Sequence, residues 1–259
     1  MRLGRWLGWG AALGVGAVAV QAVRNVYEFK VTELRVNVDA LEKPLHVVQL
    51  SDLHYGLMMQ AGSVSNWVKA TMQLEPDLIV ITGDFVQGRP YVYADPLAQL
   101  LAPLDAPLGV WGIWGNHDHV WYTDEPHTLK DIVEDAGVTM LDNEGTLVRD
   151  DLYLAGVDDF DKDDEDISRA LADKPDGVAT LLLCHRPKAL KRVPAWVDLC
   201  LSGHTHGGQV RVGPVKDVPL GWQPGSPRAY VSAGLGVGLT PFRWNCVPEL
   251  VSVRLVPGK

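Results

Sequence analysis

Five short polar clusters along the chain contain the side chains best suited to metal chemistry. Each cluster directly follows an apolar run that is typical of a buried strand. In open α/β folds, binding sites form at the carboxyl ends of strands and on the loops that follow them, so we expect the five clusters to converge. Their seven candidate ligands are Asp52, His54, Asp84, Asn116, His185, His204 and His206.

Oxygen and nitrogen ligands in this number suit two metal ions. If the carboxylate of Asp84 bridges the ions, each has four protein ligands and keeps open positions for water and for substrate oxygens. Two ions about 3.5–4 Å apart can activate a water molecule and clamp both the attacking and the leaving oxygen of an in-line displacement at phosphorus. A mixed nitrogen and oxygen set without thiolate suits Mn, Fe or Zn, of which we take Mn as the first expectation.

Two residues of the third cluster are predicted to act in catalysis. His117 lies between the candidate ligand Asn116 and an aspartate, Asp118. Its imidazole is expected to contact a phosphate oxygen or to protonate the leaving group. Asp118 is expected to fix the tautomer of His117 and to raise its basicity.

The elements that must position these residues alternate between buried strands and amphipathic helices. Residues 45–50 predict a strand, residues 64–74 place apolar side chains on one helical face, and the apolar run 77–81 indicates a strand covered on both faces. The final third is rich in Gly and Pro and contains further strand-like runs. This order predicts two packed sheets flanked by helices. With 259 residues, 47% of them hydrophobic, the chain is expected to form one large domain over residues 30–259.

The charge balance limits the partners. A net charge of −9 argues against a nucleic-acid partner, because phosphate backbones are bound by clustered Lys and Arg. It does not exclude an anionic substrate, because two divalent cations would reverse the local field. The acidic run 158–166 lacks the Gly and Glu that a calcium loop needs at its sixth and twelfth positions, so it predicts a solvated loop and a helix start.

The N-terminal segment differs from the rest of the chain. Residues 6–23 carry no charge, and a membrane-spanning helix needs about 20 apolar residues and tolerates roughly 17. We therefore predict a membrane anchor over residues 1–29 and a location at the cell inner membrane, on a side that the flanking charges leave open. The alternative is a cleaved signal peptide, because residues 17–19 have the small-x-small pattern of a cleavage site.

Taken together and in this order, the motifs D-x-H, G-D, G-N-H-D, H and G-H-x-H resemble the calcineurin-like metallophosphoesterase superfamily. The longer stretches at 202–209 (SGHTHGGQ) and 243–250 (RWNCVPEL) are similar to its membrane-associated bacterial phosphodiesterase branch. That branch includes enzymes resembling UDP-2,3-diacylglucosamine pyrophosphohydrolases of lipid A synthesis. The resemblance covers residues 45 to the carboxyl terminus.

The resemblance implies a four-layer α-β-β-α sandwich with two metal sites. One ion would bind Asp52, His54, Asp84 and His206, and the other would bind Asp84, Asn116, His185 and His204. Relatives often carry Arg where this chain has Ala233, so we expect Arg186 or Arg243 to supply the missing cation for a substrate phosphate.

The predicted function is hydrolysis of a phosphodiester or pyrophosphate bond. The predicted anchor favours a lipid-linked substrate such as UDP-2,3-diacylglucosamine. A general phosphomonoesterase or a nucleotide phosphodiesterase is the alternative within enzymes. A non-catalytic metal-binding membrane scaffold is a further alternative, and intact His117 and Asp118 count against it, because a scaffold needs no proton donor beside its metals.

Overall fold

Two six-stranded sheets carry the fold of the residues that the computed structural model describes, which are 16–88, 90–119, 129–159, 166–213, 218–238 and 240–258. The strands are β1 Lys30–Val38, β2 Leu45–Leu50, β3 Leu78–Thr82, β4 Val110–Ile113, β5 Val138–Met140, β6 Glu144–Arg149, β7 Leu152–Gly156, β8 Ala179–Leu183, β9 Leu199–Ser202, β10 Gly221–Gln223, β11 Ala229–Val231 and β12 Glu249–Pro257. The helices are α1, described over residues 16–24, α2 Ala61–Gln73, α3 Pro90–Leu101, α4 Leu129–Asp135 and α5 Ile167–Ala170. Two short 3-10 helices cover Pro187–Arg192 and His206–Gly208.

The first sheet has the strand order β1-β12-β2-β3-β4-β5, and the second has β10-β11-β9-β8-β7-β6. β2 to β5 run parallel to one another in the first sheet, and β7, β8, β9 and β11 do so in the second. Because parallel strands end on the same side, each sheet gathers several strand-to-loop junctions at one edge. These junctions carry the polar clusters.

Strand periodicity explains how the sheets are buried. Successive side chains of a strand point to opposite faces, so Val47 and Val80 pack between the sheets while Val48 and Ile79 face outward under helices. All five residues of β3 are buried, as predicted for a strand covered on both faces.

Helices cover the outer face of each sheet. Val64, Trp67 and Val68 of α2 pack with α3 and α4 on the first sheet, and α5 packs with the first 3-10 helix on the second. The predicted α/β architecture with two packed sheets is confirmed. The three cysteines, Cys184, Cys200 and Cys246, all lie in the described part of the chain, where they are buried and form no disulfide.

The structure corrects the predicted membrane anchor and the inner-membrane location that followed from it. The described part of α1 covers only residues 16–24, and Ala22 and Val26 are buried against the domain. Within the described residues, no helix combines the length and the apolar character that crossing a bilayer requires. Residues 1–15, on which the rest of that prediction falls, lie outside the described part of the chain.

Candidate metal centre

The seven predicted ligands come from the carboxyl ends of strands in both sheets. Asp52 and His54 follow β2, Asp84 follows β3, and Asn116 follows β4, whereas His185 follows β8 and His204 and His206 follow β9. The first sheet therefore supplies four of the side chains and the second sheet supplies three. They meet where the two edges face each other.

The backbone at this junction is strained at five of the seven residues. Non-glycine residues rarely adopt positive φ, and such strain clusters at functional sites. The values are 53° at Asp52, 47° at His54, 56° at Asp84, 70° at His204 and 49° at His206. The surrounding fold thus holds these side chains in positions that the isolated chain would avoid.

One group of candidate ligands consists of Asp52, His54 and His206. The Nε2 atom of His206 lies 3.4 Å from Oδ1 of Asp52 and 2.9 Å from Nε2 of His54. All three residues are buried. A carboxylate oxygen and two imidazole nitrogens therefore point into the same small volume.

A second group consists of Asp84, His185 and His204. Nε2 of His185 lies 3.2 Å from Oδ2 of Asp84 and 3.3 Å from Nδ1 of His204. The same Oδ2 atom lies 3.5 Å from Nε2 of His54, which belongs to the first group. Asp84 therefore stands between the two groups.

The donor set and one orphaned atom fit a pair of metal ions. Facing imidazole nitrogens of His54 and His206 cannot both carry a proton, so a cation between them would use both lone pairs. The Oδ1 atom of Asn116 is buried without a hydrogen-bond partner in the described structure. Buried polar atoms of this kind need a partner, and a bound ion supplies one.

Burial keeps three of the histidines neutral. It lowers the pKa of His54 and of His204 to about 4, with the charge of His185 contributing in the same direction. It also lowers the pKa of His206, helped by His54 and Arg243. A neutral imidazole is the form that binds a metal, so these side chains need no deprotonation at neutral pH.

Asp84 and His185 form a charged pair. Burial opposes the charge of His185, but the carboxylates of Asp84 and Asp52 outweigh it and raise the His185 pKa to about 10. Burial also opposes ionisation of Asp84, and the charge of His185 still lowers the Asp84 pKa. Nδ1 of His185 donates to the carbonyl oxygen of Thr82 at 2.7 Å, which directs Nε2 into the site.

His117 lies on the more open side of the centre. Its backbone N–H donates to Oδ1 of Asp84 at 2.8 Å, and its ring meets that of His54 edge-on at 4.9 Å between centroids. The side chain is only partly buried. The imidazole is thus placed beside the candidate ligands and within reach of a substrate.

The structure places the carboxylate of Asp118 on backbone amides. It accepts from the N–H groups of Asp84 at 2.9 Å, Phe85 at 2.8 Å, Val86 at 3.3 Å and Gly115 at 2.9 Å. Burial and the charge of Asp84 raise its pKa to about 7. Asp118 therefore ties the loop after β3 to the loop after β4.

The two arginines predicted to contact substrate differ in their surroundings. Nη1 of Arg186 forms an ion pair with Oδ1 of buried Asp159 at 3.0 Å, and its side chain remains 26% exposed. Arg243 is fully buried. Its Nη2 lies 3.0 Å from Nδ1 of His206, 2.8 Å from the carbonyl oxygen of Ala233 and 2.6 Å from that of Gly236.

Two buried aspartates near the centre were not predicted from the sequence. Asp158 and Asp159, predicted to lie in a solvated loop, are buried, and Asp158 pairs with His119 at 2.6 Å. Their position after β7, a buried strand, was the available signal. Residues 160–165 of that run lie outside the described part, and Asp166 caps α5 by accepting from the N–H of Arg169, as predicted for the helix start.

Comparison with known proteins adds a family to this geometry. Residues 45–208 match the family model described as calcineurin-like phosphoesterase. The chain is 34% identical over 225 residues to the uncharacterized metallophosphoesterase YkuE of Bacillus subtilis, and the match covers 81% of this chain and 78% of that protein. It is 31% identical over 239 residues to the phosphodiesterase YaeI of Escherichia coli, and the match covers 82% of this chain and 83% of that protein. A solved 5'-nucleotidase precursor from Thermus thermophilus gives a TM-score of 0.48 at 16% identity, and the match covers 83% of this chain and 54% of that one.

Proposed function

Because this chain belongs to the calcineurin-like phosphoesterase family and is a metal-dependent phosphoester hydrolase, we propose that it cleaves phosphodiester bonds with a dinuclear centre. One ion would be held by Asp52, His54, Asp84 and His206. The other would be held by Asp84, Asn116, His185 and His204. The observation that carries this proposal is the position of Asp84 Oδ2, 3.5 Å from Nε2 of His54 and 3.2 Å from Nε2 of His185.

The metal pair, when bound, supplies Lewis-acid activation of a water molecule and charge neutralisation at the phosphoryl group. The activated water would first release a proton to solvent. Its oxygen would then form the new bond to phosphorus, the bond from phosphorus to the leaving oxygen would break, and the protonated ring of His117 would donate its proton to that leaving oxygen. Its partly exposed ring beside Asp84 supports this role. Asp118 acts on the same step indirectly, because it holds the backbone on which Asp84 and His117 sit.

Arg186 binds a non-bridging phosphate oxygen of the substrate. It directly follows the candidate ligand His185 and is partly exposed, and Asp159 holds its guanidinium from the buried side. An arginine fixed on one side by a carboxylate is preorganised to bind a second anion on the other. The buried contacts of Arg243 support a different role, the fixing of His206 and of the loop 233–236.

A comparison of three substrates tests the reaction. The Mn²⁺-loaded protein is assayed on bis-p-nitrophenyl phosphate, on p-nitrophenyl phosphate and on UDP-2,3-diacylglucosamine. Turnover of the diester above that of the monoester is expected, in line with the relative named a phosphodiesterase. Release of UMP from the third substrate alone would assign the lipid-linked pyrophosphate predicted from the sequence resemblance.

Metal analysis of the same preparation tests the centre. Two ions per chain are expected after reconstitution, and Asp84→Asn is expected to reduce occupancy at both sites because Asp84 is shared. Fewer than two ions in the unmodified protein, or loss of only one in Asp84→Asn, would overturn the dinuclear proposal.

A further inference from the structure

Three buried polar side chains lie beneath the metal centre, between the two sheets. Gln49 is near the end of β2, Thr82 is the last residue of β3, and Ser51 directly precedes the candidate ligand Asp52. Each of these four residues has a relative exposure of 0%. They interrupt strands that are otherwise apolar on their inner faces, where uncompensated polar groups are costly.

The side chains form one hydrogen-bond chain that ends on Asp52. Nε2 of Gln49 donates to Oγ1 of Thr82 at 2.8 Å, Oγ1 of Thr82 donates to Oγ of Ser51 at 2.8 Å, and Oγ of Ser51 donates to Oδ2 of Asp52 at 2.6 Å. Each hydroxyl accepts one bond and donates the next. Hydrogen bonds arranged in this way polarise one another and strengthen the last link.

The direction of the chain is fixed at both ends. Nε2 of Gln49 also donates to the carbonyl oxygen of Ser202 on β9 at 3.0 Å, so the amide nitrogen must face the site. At the other end, an ionised carboxylate only accepts. The Oε1 atom of Gln49 is meanwhile buried without a hydrogen-bond partner in the described structure. The fold thus tolerates an unsatisfied oxygen while keeping the donor in place.

The chain acts on the orientation of one metal ligand. Oδ2 of Asp52 is engaged by Ser51, whereas Oδ1 points to the site and lies 3.4 Å from Nε2 of His206. The backbone N–H of His204 donates to both carboxylate oxygens of Asp52, to Oδ1 at 2.9 Å and to Oδ2 at 3.1 Å. This bond therefore does not fix which of the two oxygens faces the metal site. The Ser51 hydroxyl supplies the asymmetry.

We propose that Gln49, Thr82 and Ser51 are positioning residues that present Oδ1 of Asp52 to the ion held by Asp52, His54, Asp84 and His206, and so set the affinity of that site. The inference rests on the dinuclear centre proposed above. Partners that orient a metal ligand typically change metal affinity by 10–100-fold when they are lost.

The test is metal retention by Thr82→Val, which keeps the shape of the side chain and the carbonyl that binds His185 but removes the central hydroxyl of the chain. Wild-type and variant proteins are equilibrated against a series of buffered free Mn²⁺ concentrations. We expect the ion at the Asp52 site to bind about 10–100-fold more weakly in the variant, so that one ion per chain is lost at concentrations where the wild type keeps two.

The electron paramagnetic resonance spectrum identifies the site that empties. A lone Mn²⁺ gives an isolated six-line signal, whereas two neighbouring ions couple. His54→Ala removes a ligand of the Asp52 group, so it gives the reference spectrum of an ion held by Asp84, Asn116, His185 and His204. His204→Ala removes a ligand of that second group, so it gives the reference spectrum of an ion held by Asp52, His54, Asp84 and His206. The spectrum of Thr82→Val at intermediate Mn²⁺ is expected to match that of His54→Ala, and a match to His204→Ala would contradict the proposal.

Controls separate positioning from general destabilisation. Thr180→Val removes a buried hydroxyl from β8, where Oγ1 donates to the carbonyl oxygen of Val178 at 3.5 Å, and should leave metal binding unchanged. Thr82→Ser retains the hydroxyl and should restore the affinity. Should Thr82→Val not fold, Gln49→Met and Ser51→Ala interrupt the chain at its two ends and are expected to weaken the same ion.

The outcomes distinguish this inference from the proposed function. A wild-type protein that holds fewer than two ions overturns the dinuclear centre itself. A wild type that holds two ions and folded variants that hold both with unchanged affinity overturn only the hydrogen-bond chain.

Discussion

His117 is fixed to the centre by its backbone, because its N–H donates to Oδ1 of Asp84, while its ring stays partly exposed. Replacing the imidazole need not disturb that backbone bond. We predict that His117→Asn keeps two ions per chain and lowers kcat by roughly 10²–10⁴, the usual contribution of a general acid. Steady-state kinetics on bis-p-nitrophenyl phosphate, with metal analysis of the same sample, measure both effects. Full activity in the variant would exclude His117 as the proton donor.

His185 gives the centre a defined pH dependence. Its pKa is raised to about 10, because the carboxylates of Asp84 and Asp52 stabilise the charged ring more than burial destabilises it. A metal ion binds only the neutral ring, so the proton must leave when the second ion binds. Below that pKa, protons compete with the metal ion for the ring nitrogen of His185. The apparent metal affinity therefore falls as the pH falls from about 10 toward neutrality.

The proton release can be counted by calorimetry in buffers of different ionisation enthalpy. At about pH 8 we expect roughly one proton to be released as the second ion binds. His204→Gln removes a ligand whose pKa is about 4 and should retain that release, whereas His185→Gln should abolish it. Equal proton release from the two variants would assign the proton to another group.

At the scale of the elements, the loops after β3 and β4 approach so closely that only glycine fits between them. A Cβ on Gly115 would overlap the backbone nitrogen of Asp84 and lie 2.8 Å from its Cγ. We predict that Gly115→Ala displaces Asp84, costs about 1–3 kcal/mol of folding stability through overpacking, and lowers the occupancy of both metal sites.

Gly62→Ala is the matched control for that substitution. Gly62 lies in α2, where an added Cβ meets nothing within 4 Å. Alanine in a helix is expected to stabilise the fold by about 0.5–1 kcal/mol and to leave metal content unchanged. Thermal unfolding and metal analysis of both variants check the pair, and normal metal content in Gly115→Ala would contradict the role of this contact.

The same elements show what sequence patterns carry. Strand-end placement anticipated that Asp52, Asp84 and His185 converge, because an apolar run followed by a polar residue is a local signal and parallel strands end together. The bonds of Asp118 to Asp84 and of Arg243 to His206 join residues 34 and 37 positions apart. No periodicity records such contacts, and they depend on how the loops pack.

For two segments, composition predicted the wrong environment: a membrane for one and solvent for the other. The uncharged residues 6–23 predicted an anchor, yet Ala22 is buried against the domain and the N–H of Arg243 donates to its carbonyl oxygen at 2.9 Å. The acidic run 158–166 predicted a solvated loop, yet Asp159 is buried and pairs with Arg186. Composition indicates the average environment of a segment. It does not show the one distant residue, such as Arg186 for Asp159, whose contact keeps a side chain buried.

At the scale of the whole molecule, the candidate ligands join the two sheets. Four come from loops of the first sheet and three from loops of the second, and beneath them a hydrogen bond from Gln49 to the carbonyl oxygen of Ser202 crosses between the sheets. Bound ions would therefore link the two sheets in the folded protein, and these links would be lost when the sheets separate on unfolding. They would also offset part of the net charge of −9.

Metal binding is accordingly expected to stabilise the folded chain. An ion at 100 times its Kd adds about 2.7 kcal/mol to the free energy of unfolding, and a chain of this size gains about 2–4 °C in Tm for each kcal/mol. Two ions, each at that excess, add about 5.4 kcal/mol, so Mn²⁺ at about 100 times the Kd of both sites should raise Tm by roughly 10–20 °C over the chelated protein, as measured by calorimetry. Asp84→Asn, which removes the carboxylate shared by both sites, should lose most of that shift. A shift that persists in this variant would mean that the ions stabilise the acidic surface and not the junction of the two sheets.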